Sequence, residues 1–169
     1  GNWEIFLPII SLRRKISAIV REQKNSGGDK FISERRKFEN VSLISNTLDL
    51  NKMLKPLLNN EILLILNDQK PKKSGTILNF FDKPAIFPKG SGHFYLQTKS
   101  RIGFGFCILK PDLSYEFKIR LLVIDHQEKS KNDIIDEINL KYAKLLEDEI
   151  RKYPEQYCWF YKKWDNSYY

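Results

Sequence analysis

Short apolar runs alternate with amphipathic stretches along this chain, the pattern of an α/β protein. Ser17–Arg21 reads as a short strand and Val41–Ile44 as another. Between them, Asn25-Ser26-Gly27-Gly28 punctuates a loop over Lys24–Gly28. Lys30–Phe38 is charged but carries Phe31, Ile32 and Phe38, and it is expected to lie on the surface as a helix. Asp49 is placed to cap a helix with Leu50, Met53, Leu54, Leu57 and Leu58 on one face. Pro56 should end or kink that helix early, because proline lacks the N–H and crowds the preceding turn. Ile62–Leu66 is a continuous apolar run, too short for a typical helix. It fits a strand buried on both faces, as in a parallel sheet.

Further along, Gly90-Ser91-Gly92 opens a predicted helix over His93–Lys99. Ile102–Leu109 and Tyr115–Ile124 read as strands joined through Lys110-Pro111-Asp112. The second alternates strictly. Tyr115, Phe117, Ile119, Leu121 and Val123 share one face, and Glu116, Lys118 and Arg120 the other, which predicts a half-buried strand near a sheet edge. The clearest helix starts at Ser130, with Asp133 completing a variant of the capping box. Its apolar stripe is Ile134, Ile135, Ile138, Tyr142, Leu145, Leu146 and Ile150, and Pro154 stops it. An aromatic and basic tail, Tyr157–Trp164, follows. With no internal repeat, these elements predict one domain over 1–169. Its expected fold class is α/β, with a mixed, largely parallel central sheet flanked by helices.

Charge changes the picture next. Lys and Arg exceed Asp and Glu by enough to give +8, which favours an anionic partner: nucleic acid, an acidic protein or an anionic membrane face. No apolar run reaches the ~18 residues that span a bilayer. No basic segment precedes an apolar one in the manner of a signal peptide. The opening residues run straight into an apolar-rich stretch, as though a longer chain had been cut there. Cys107 and Cys158 have no metal-type spacing and read as reduced, buried thiols of a cytosolic setting. His93 and His126 have no nearby nucleophile arrangement and read as structural or surface residues. Ser91 lacks the Gly-x-Ser-x-Gly elbow of a serine hydrolase.

Three separated stretches carry a resemblance. The first is Gly1-Asn2-Trp3-Glu4. The second is Asn67-Asp68-Gln69, then Gly75 and Phe80-Phe81, with a glycine-bearing helix start after it. The third is Ile150-Arg151-Lys152-Tyr153-Pro154-Glu155-Gln156-Tyr157-Cys158-Trp159 with Lys162-Lys163-Trp164. In this order they resemble the HtrB-type acyltransferases, the late acyltransferases of lipid A synthesis and their relatives that acylate mannosylated phosphatidylinositol. Two stretches depart from the family pattern. Phe80-Phe81-Asp82 stands where the family usually has Phe-Phe-Gly, and Ile86-Phe87-Pro88-Lys89 replaces a Thr-rich stretch.

The resemblance implies a glycerol-3-phosphate-acyltransferase-like fold, incomplete at its amino end. It also implies a His-x4-Glu pair whose histidine lies two positions before Gly1, with Glu4 as its carboxylate. An alcohol is a poor nucleophile at neutral pH, so transfer from a thioester needs a base, and a carboxylate beside an imidazole fixes its tautomer. The alternative for Glu4 is a first-turn carboxylate favoured by the helix dipole. Arg36 matches a basic family position and is a candidate phosphate clamp; alternatively it belongs to the solvated run Arg35-Arg36-Lys37. Arg21, at a predicted strand end, is a second phosphate candidate. Asp68 and Gln69 are candidates for orienting acceptor sugar hydroxyls, or form a strand-terminating turn. Trp159, Lys162, Lys163 and Trp164 are candidates for a lipid headgroup layer, or for packing over the last helix.

The implied donor is an acyl carrier protein or acyl-CoA, and the implied acceptor is a glycolipid at the cytoplasmic face of a bacterial inner membrane. No metal or other cofactor is implied. The 169 residues alone are expected to be inactive, lacking the base and a membrane anchor. The rivals are a basic nucleic-acid-binding domain, for which no recognised motif is present, and a relative that binds lipid without catalysis.

Overall fold

The computed structural model describes residues 2–46, 49–71, 74–125 and 128–165. The chain divides into two compact units, Asn2–Leu66 and Asn67–Tyr169.

The first unit is built on a parallel sheet. A 3-10 turn at Trp3–Ile5 leads into α1 (Phe6–Ser11). The chain then runs through β1 (Ile16–Val20), α2 (Ser26–Arg35), β2 (Val41–Ser45), α3 (Leu50–Leu58) and β3 (Ile62–Leu64). The strand order is β2-β1-β3, with both pairings parallel. Strand β1 is central, so its apolar residues are the ones enclosed. Leu7 of α1 packs with Ile16 and Ala18, and Ile10, Val41, Leu43 and Leu64 close around them.

Three local expectations change here. The predicted loop over Lys24–Gly28 is the start of a helix: the Asn25 side chain accepts from the Gly28 amide and caps α2, which leaves both glycines in its first turn. Helix α3 does begin at Asp49, whose carboxylate accepts from the Lys52 amide, and it ends two residues after Pro56. Its apolar stripe is not a buried face, however; Leu50 and Leu58 are exposed and only Pro56 is buried. The run expected to be a strand buried on both faces forms the short edge strand β3, with Ile62 and Leu66 exposed.

The second unit is antiparallel and helical. β4 (Thr76–Phe80) and β5 (Lys83–Phe87) form one hairpin, and β6 (Gly103–Leu109) and β7 (Tyr115–Leu121) another. The parallel arrangement is therefore that of β1–β3, and these hairpins add antiparallel pairs to a mixed α/β chain. Helix α4 (Gly90–Thr98) and the long α5 (Lys131–Lys152) supply the other faces. The capping box forms as the sequence suggests. Asp133 N donates to Ser130 Oγ at 3.2 Å, and Ser130 N donates to the Asp133 carboxylate at 3.0 Å. The core gathers Phe80, Phe87, Phe104, Tyr142, Leu146 and Ile150, with the Phe104 and Tyr142 rings stacked at 4.3 Å. Gly92 is where α4 meets α5: a Cβ there would lie 2.8 Å from Ile135 Cγ1.

Strand β7 presents the opposite face to the helix from the one its alternation suggests. Lys118 reaches Glu149 of α5 at 2.8 Å, while Ile119 and Leu121 are 58% and 64% exposed. On the helix-facing side, Phe104 and Ile108 of β6 already fill the core. What β7 adds there is a charge pair. Burial pushes Glu149 up, but the Lys118 hydrogen bond and charge outweigh it, so the carboxyl lies below its usual range. At the other edge, the Gln156 side-chain amide accepts from Leu109 N at 2.9 Å and donates to Leu109 O at 2.8 Å, pairing the β6 backbone as a strand would.

Candidate functional site

Glu4 sits in the 3-10 turn that opens α1, and Arg36 ends α2 as its C-cap. The fold brings them together across a sequence separation of 32 residues. Arg36 Nε donates to Glu4 Oε2 at 3.0 Å and Nη2 to Oε1 at 2.5 Å, the bidentate fork that suits a carboxylate. The guanidinium also lies over the Trp3 ring, 5.0 Å from its centroid. The Nε–Nη2 fork of Arg36, the candidate phosphate clamp, is turned to Glu4. Each carboxylate oxygen keeps a lone pair, so a further donor such as an imidazole N–H can still bind it. The Glu4 side chain, 44% exposed, is open to such a donor, whereas Arg36 is largely covered at 14%.

Arg21 lies just past β1 and is exposed, its carbonyl accepting from Gln23 Nε2 at 3.4 Å. An open groove of about 310 Å³ runs beside α1, lined by Pro8, Ile9, Leu12, Phe38 and Asn40 among others. Its walls combine α1 with the turn that follows Arg36 into β2.

In the second unit, Asp68 is half-buried and Gln69 exposed, in a segment without regular structure. Sequence reading placed them correctly beyond a strand but did not see what holds them. Asn67 Nδ2 donates to Asn139 Oδ1 of α5 at 3.4 Å, and Asn139 Nδ2 donates to Thr76 Oγ1 at 3.0 Å. The Thr76 hydroxyl in turn donates to Asp136 Oδ1 at 2.6 Å. Asn139 is only 1% exposed. The available signal was a polar residue standing on the apolar stripe of α5, next to Ile138 and four residues from Ile135.

The tail contributes the next contacts, and two of its residues are not where a lipid surface would meet them. Lys163 is wholly buried; its Nζ donates to Asp68 O at 2.8 Å and Ile86 O at 3.0 Å and stands 3.6 Å from the Phe87 ring centroid. Burial pushes its ammonium down from 10.5 to about 8, against the opposing pull of the Asp68 charge. Trp164 stacks on Phe80 at 5.8 Å and donates from Nε1 to Phe80 O at 3.0 Å. Core packing accounts for both, which corrects their expected headgroup role. Trp159 is partly exposed, with Nε1 donating to Pro154 O at 2.7 Å; Lys162 and Phe160 are exposed. Tyr142 is buried, and its hydroxyl is pushed well above 10 by that burial, with the Asp68 charge adding to it.

Of the remaining residues, Cys107 is buried, but Cys158 is exposed, contrary to expectation. His93 lies exposed on α4, and His126 falls outside the described residues. Among the described residues, no helix is long and apolar enough to cross a membrane.

No curated protein matches the chain. A family model does, that of the bacterial lipid A biosynthesis acyltransferases, over residues 1–166. That match spans Glu4, Arg36, the Asp68–Gln69 segment and the tail, and the chain belongs to the bacterial lipid A biosynthesis acyltransferase family.

Proposed function

We propose that this chain carries part of the active site of an O-acyltransferase. It moves a fatty acyl group from an acyl thioester, on acyl carrier protein or coenzyme A, to a hydroxyl of a glycolipid such as a lipid A precursor. The observation that carries this reading is the Glu4–Arg36 fork. The base is the histidine that the family pattern puts two positions before Gly1. Its imidazole takes the proton of the acceptor hydroxyl as that oxygen attacks the thioester carbonyl carbon. The tetrahedral intermediate collapses, the carbon–sulfur bond breaks, and the thiolate leaves with the proton returned from the imidazolium. Glu4 steadies that imidazolium and fixes its tautomer. Arg36 occupies one side of the carboxylate and so points its remaining lone pairs in one direction.

Asp68 and Gln69 bind the acceptor sugar. Arg21 stays a candidate for an anionic group of the substrate. The reaction runs at the cytoplasmic face of the bacterial inner membrane, with Trp159 and Lys162 at the lipid surface. The basic balance of +8 suits both an acidic carrier protein and an anionic leaflet. The three parallel strands support a larger, mainly parallel sheet of glycerol-3-phosphate-acyltransferase type.

The test is acyl transfer from labelled acyl carrier protein or acyl-CoA to a glycolipid extract, by a chain that includes the residues before Gly1. Turnover that disappears when the upstream histidine becomes alanine supports the reading. Undiminished turnover by the histidine-free variant overturns the assigned base.

A further inference from the structure

Residues 67–70, beyond β3, have no regular structure, yet three of the four are tied down from elsewhere. Asn67 is held by Asn139 of α5. The Asp68 carbonyl accepts from Lys163 Nζ. The backbone of Lys70 is gripped on both sides by one hydroxyl: Tyr161 Oη accepts from Lys70 N at 2.7 Å and donates to Lys70 O at 3.4 Å. Two of these three anchors, Tyr161 and Lys163, come from the tail that follows α5. The pinned positions bracket Gln69, whose side chain is left exposed, and leave the Asp68 carboxylate half-buried beside them.

Stability alone is a poor reason for this arrangement. A buried ammonium is costly to desolvate, and an apolar side chain of similar volume is often as good or better. What a buried ammonium shared between two carbonyls provides is a single geometry, because each carbonyl must face the same point. Lys163 joins the Asp68 carbonyl to that of Ile86 on β5, so the loop is registered against a hairpin strand.

We propose that Tyr161 and Lys163 are positioning residues for the acceptor: the tail forms a clasp that holds the Asp68–Gln69 loop in its sugar-binding shape. This rests on the reading of Asp68 and Gln69 as acceptor-binding residues. The clasp touches no reacting atom and acts through the loop alone. It should therefore govern the KM for glycolipid and leave the KM for the thioester donor unchanged.

The experiment measures both KM values and the melting temperature in the chain that carries the upstream histidine. Tyr161→Phe is the principal variant, since it removes one hydroxyl from a partly exposed ring. Lys163→Met is the second, and Asp68→Ala with Gln69→Ala is the control. Loss of one or two hydrogen bonds from the clasp predicts an acceptor KM raised roughly 3- to 10-fold in Tyr161→Phe. The donor KM and melting temperature should stay close to wild type. Adding Tyr161→Phe to the Asp68→Ala, Gln69→Ala background should change acceptor KM by less than about 2-fold, because a residue acting through the loop has nothing left to position.

If the control raises acceptor KM but Tyr161→Phe does not, the clasp is wrong and the acceptor reading stands. If the control itself leaves acceptor KM unchanged, the acceptor reading fails and the clasp falls with it. Equal rises in both KM values, or full additivity in the combined variant, also overturn the proposal. Should Lys163→Met fail to fold, Tyr161→Phe decides alone.

Discussion

In Asn2–Leu66, two of the three residues offered for chemistry, Glu4 and Arg36, meet in one ion pair with the carboxylate partly exposed. In Asn67–Tyr169, the corresponding residues lie on a loop tied from below by Asn139 and from the tail by Tyr161 and Lys163. The first arrangement costs little if lost, because a carboxylate partly in water can be rehydrated. The second, at Asn139 and Lys163, leaves buried donors and acceptors without partners when either side chain is removed. Reactive groups can be held weakly where they must exchange partners with a substrate or a base. Groups that only define a shape can be held tightly.

The contrast can be tested at graded strength. The largest effect expected is on rate. Glu4→Ala should lower kcat by about 100-fold or more, the scale of general-base catalysis, while changing unfolding free energy by less than about 1 kcal/mol. Steady-state kinetics and urea unfolding on the same sample check both halves, and a fully active variant would remove Glu4 from the mechanism. The second effect runs the other way. Asn139→Leu should cost about 2 kcal/mol or more of stability, read as a lower urea midpoint, since it strands buried polar groups of Asn67 and Thr76. An unchanged midpoint would mean the buried ladder holds nothing.

The third prediction concerns pH. The Lys163 ammonium titrates near 8 in the fold and near 10.5 once exposed. Between those values the unfolded chain binds more protons, so the contribution of Lys163 makes stability rise with pH. Relative to Lys163→Met, the wild type should gain about 2 kcal/mol from pH 7 to pH 10. Unfolding curves at the two pH values that keep a constant difference would contradict the burial of that charge. The smallest effect lies at the β4–β5 turn, where Phe81 and Asp82 have φ of 50° and 60°. The family's usual glycine at the second position adopts that conformation without a Cβ clash. Asp82→Gly should therefore raise stability by up to about 0.5 kcal/mol, the gain being trimmed by the greater freedom of glycine when unfolded. A lower melting temperature would show that Asp82 has a role beyond the turn.

Local rules read the helix caps at Asp49 and Ser130, the strands β1, β2, β6 and β7, and the stop at Pro154, because each depends on neighbours within a few residues. They failed where a neighbour far along the chain decides. Alternation in β7 identified two faces but could not say that Glu149 would draw the Lys118 face inward. The basic pair Lys162-Lys163 looked like one surface feature, yet the chain places the two residues oppositely, and only the carbonyls of Asp68 and Ile86 explain why. Glu4 and Arg36 were each singled out by family likeness, but that they pair was not legible, because a separation of 32 residues carries no periodic signal. The α2 start was missed for a local reason: two glycines outweighed an Asn25 cap directly before them.

The side chain of Gln156 has one more consequence. By meeting both backbone groups of Leu109, it seals a rung of β6 that would otherwise face outward with its donor and acceptor unmet. Open rungs of this kind recruit strands from neighbouring molecules. A single amide, from the residue that ends a 3-10 turn, thus closes that one rung of the β6 edge to a strand laid alongside it.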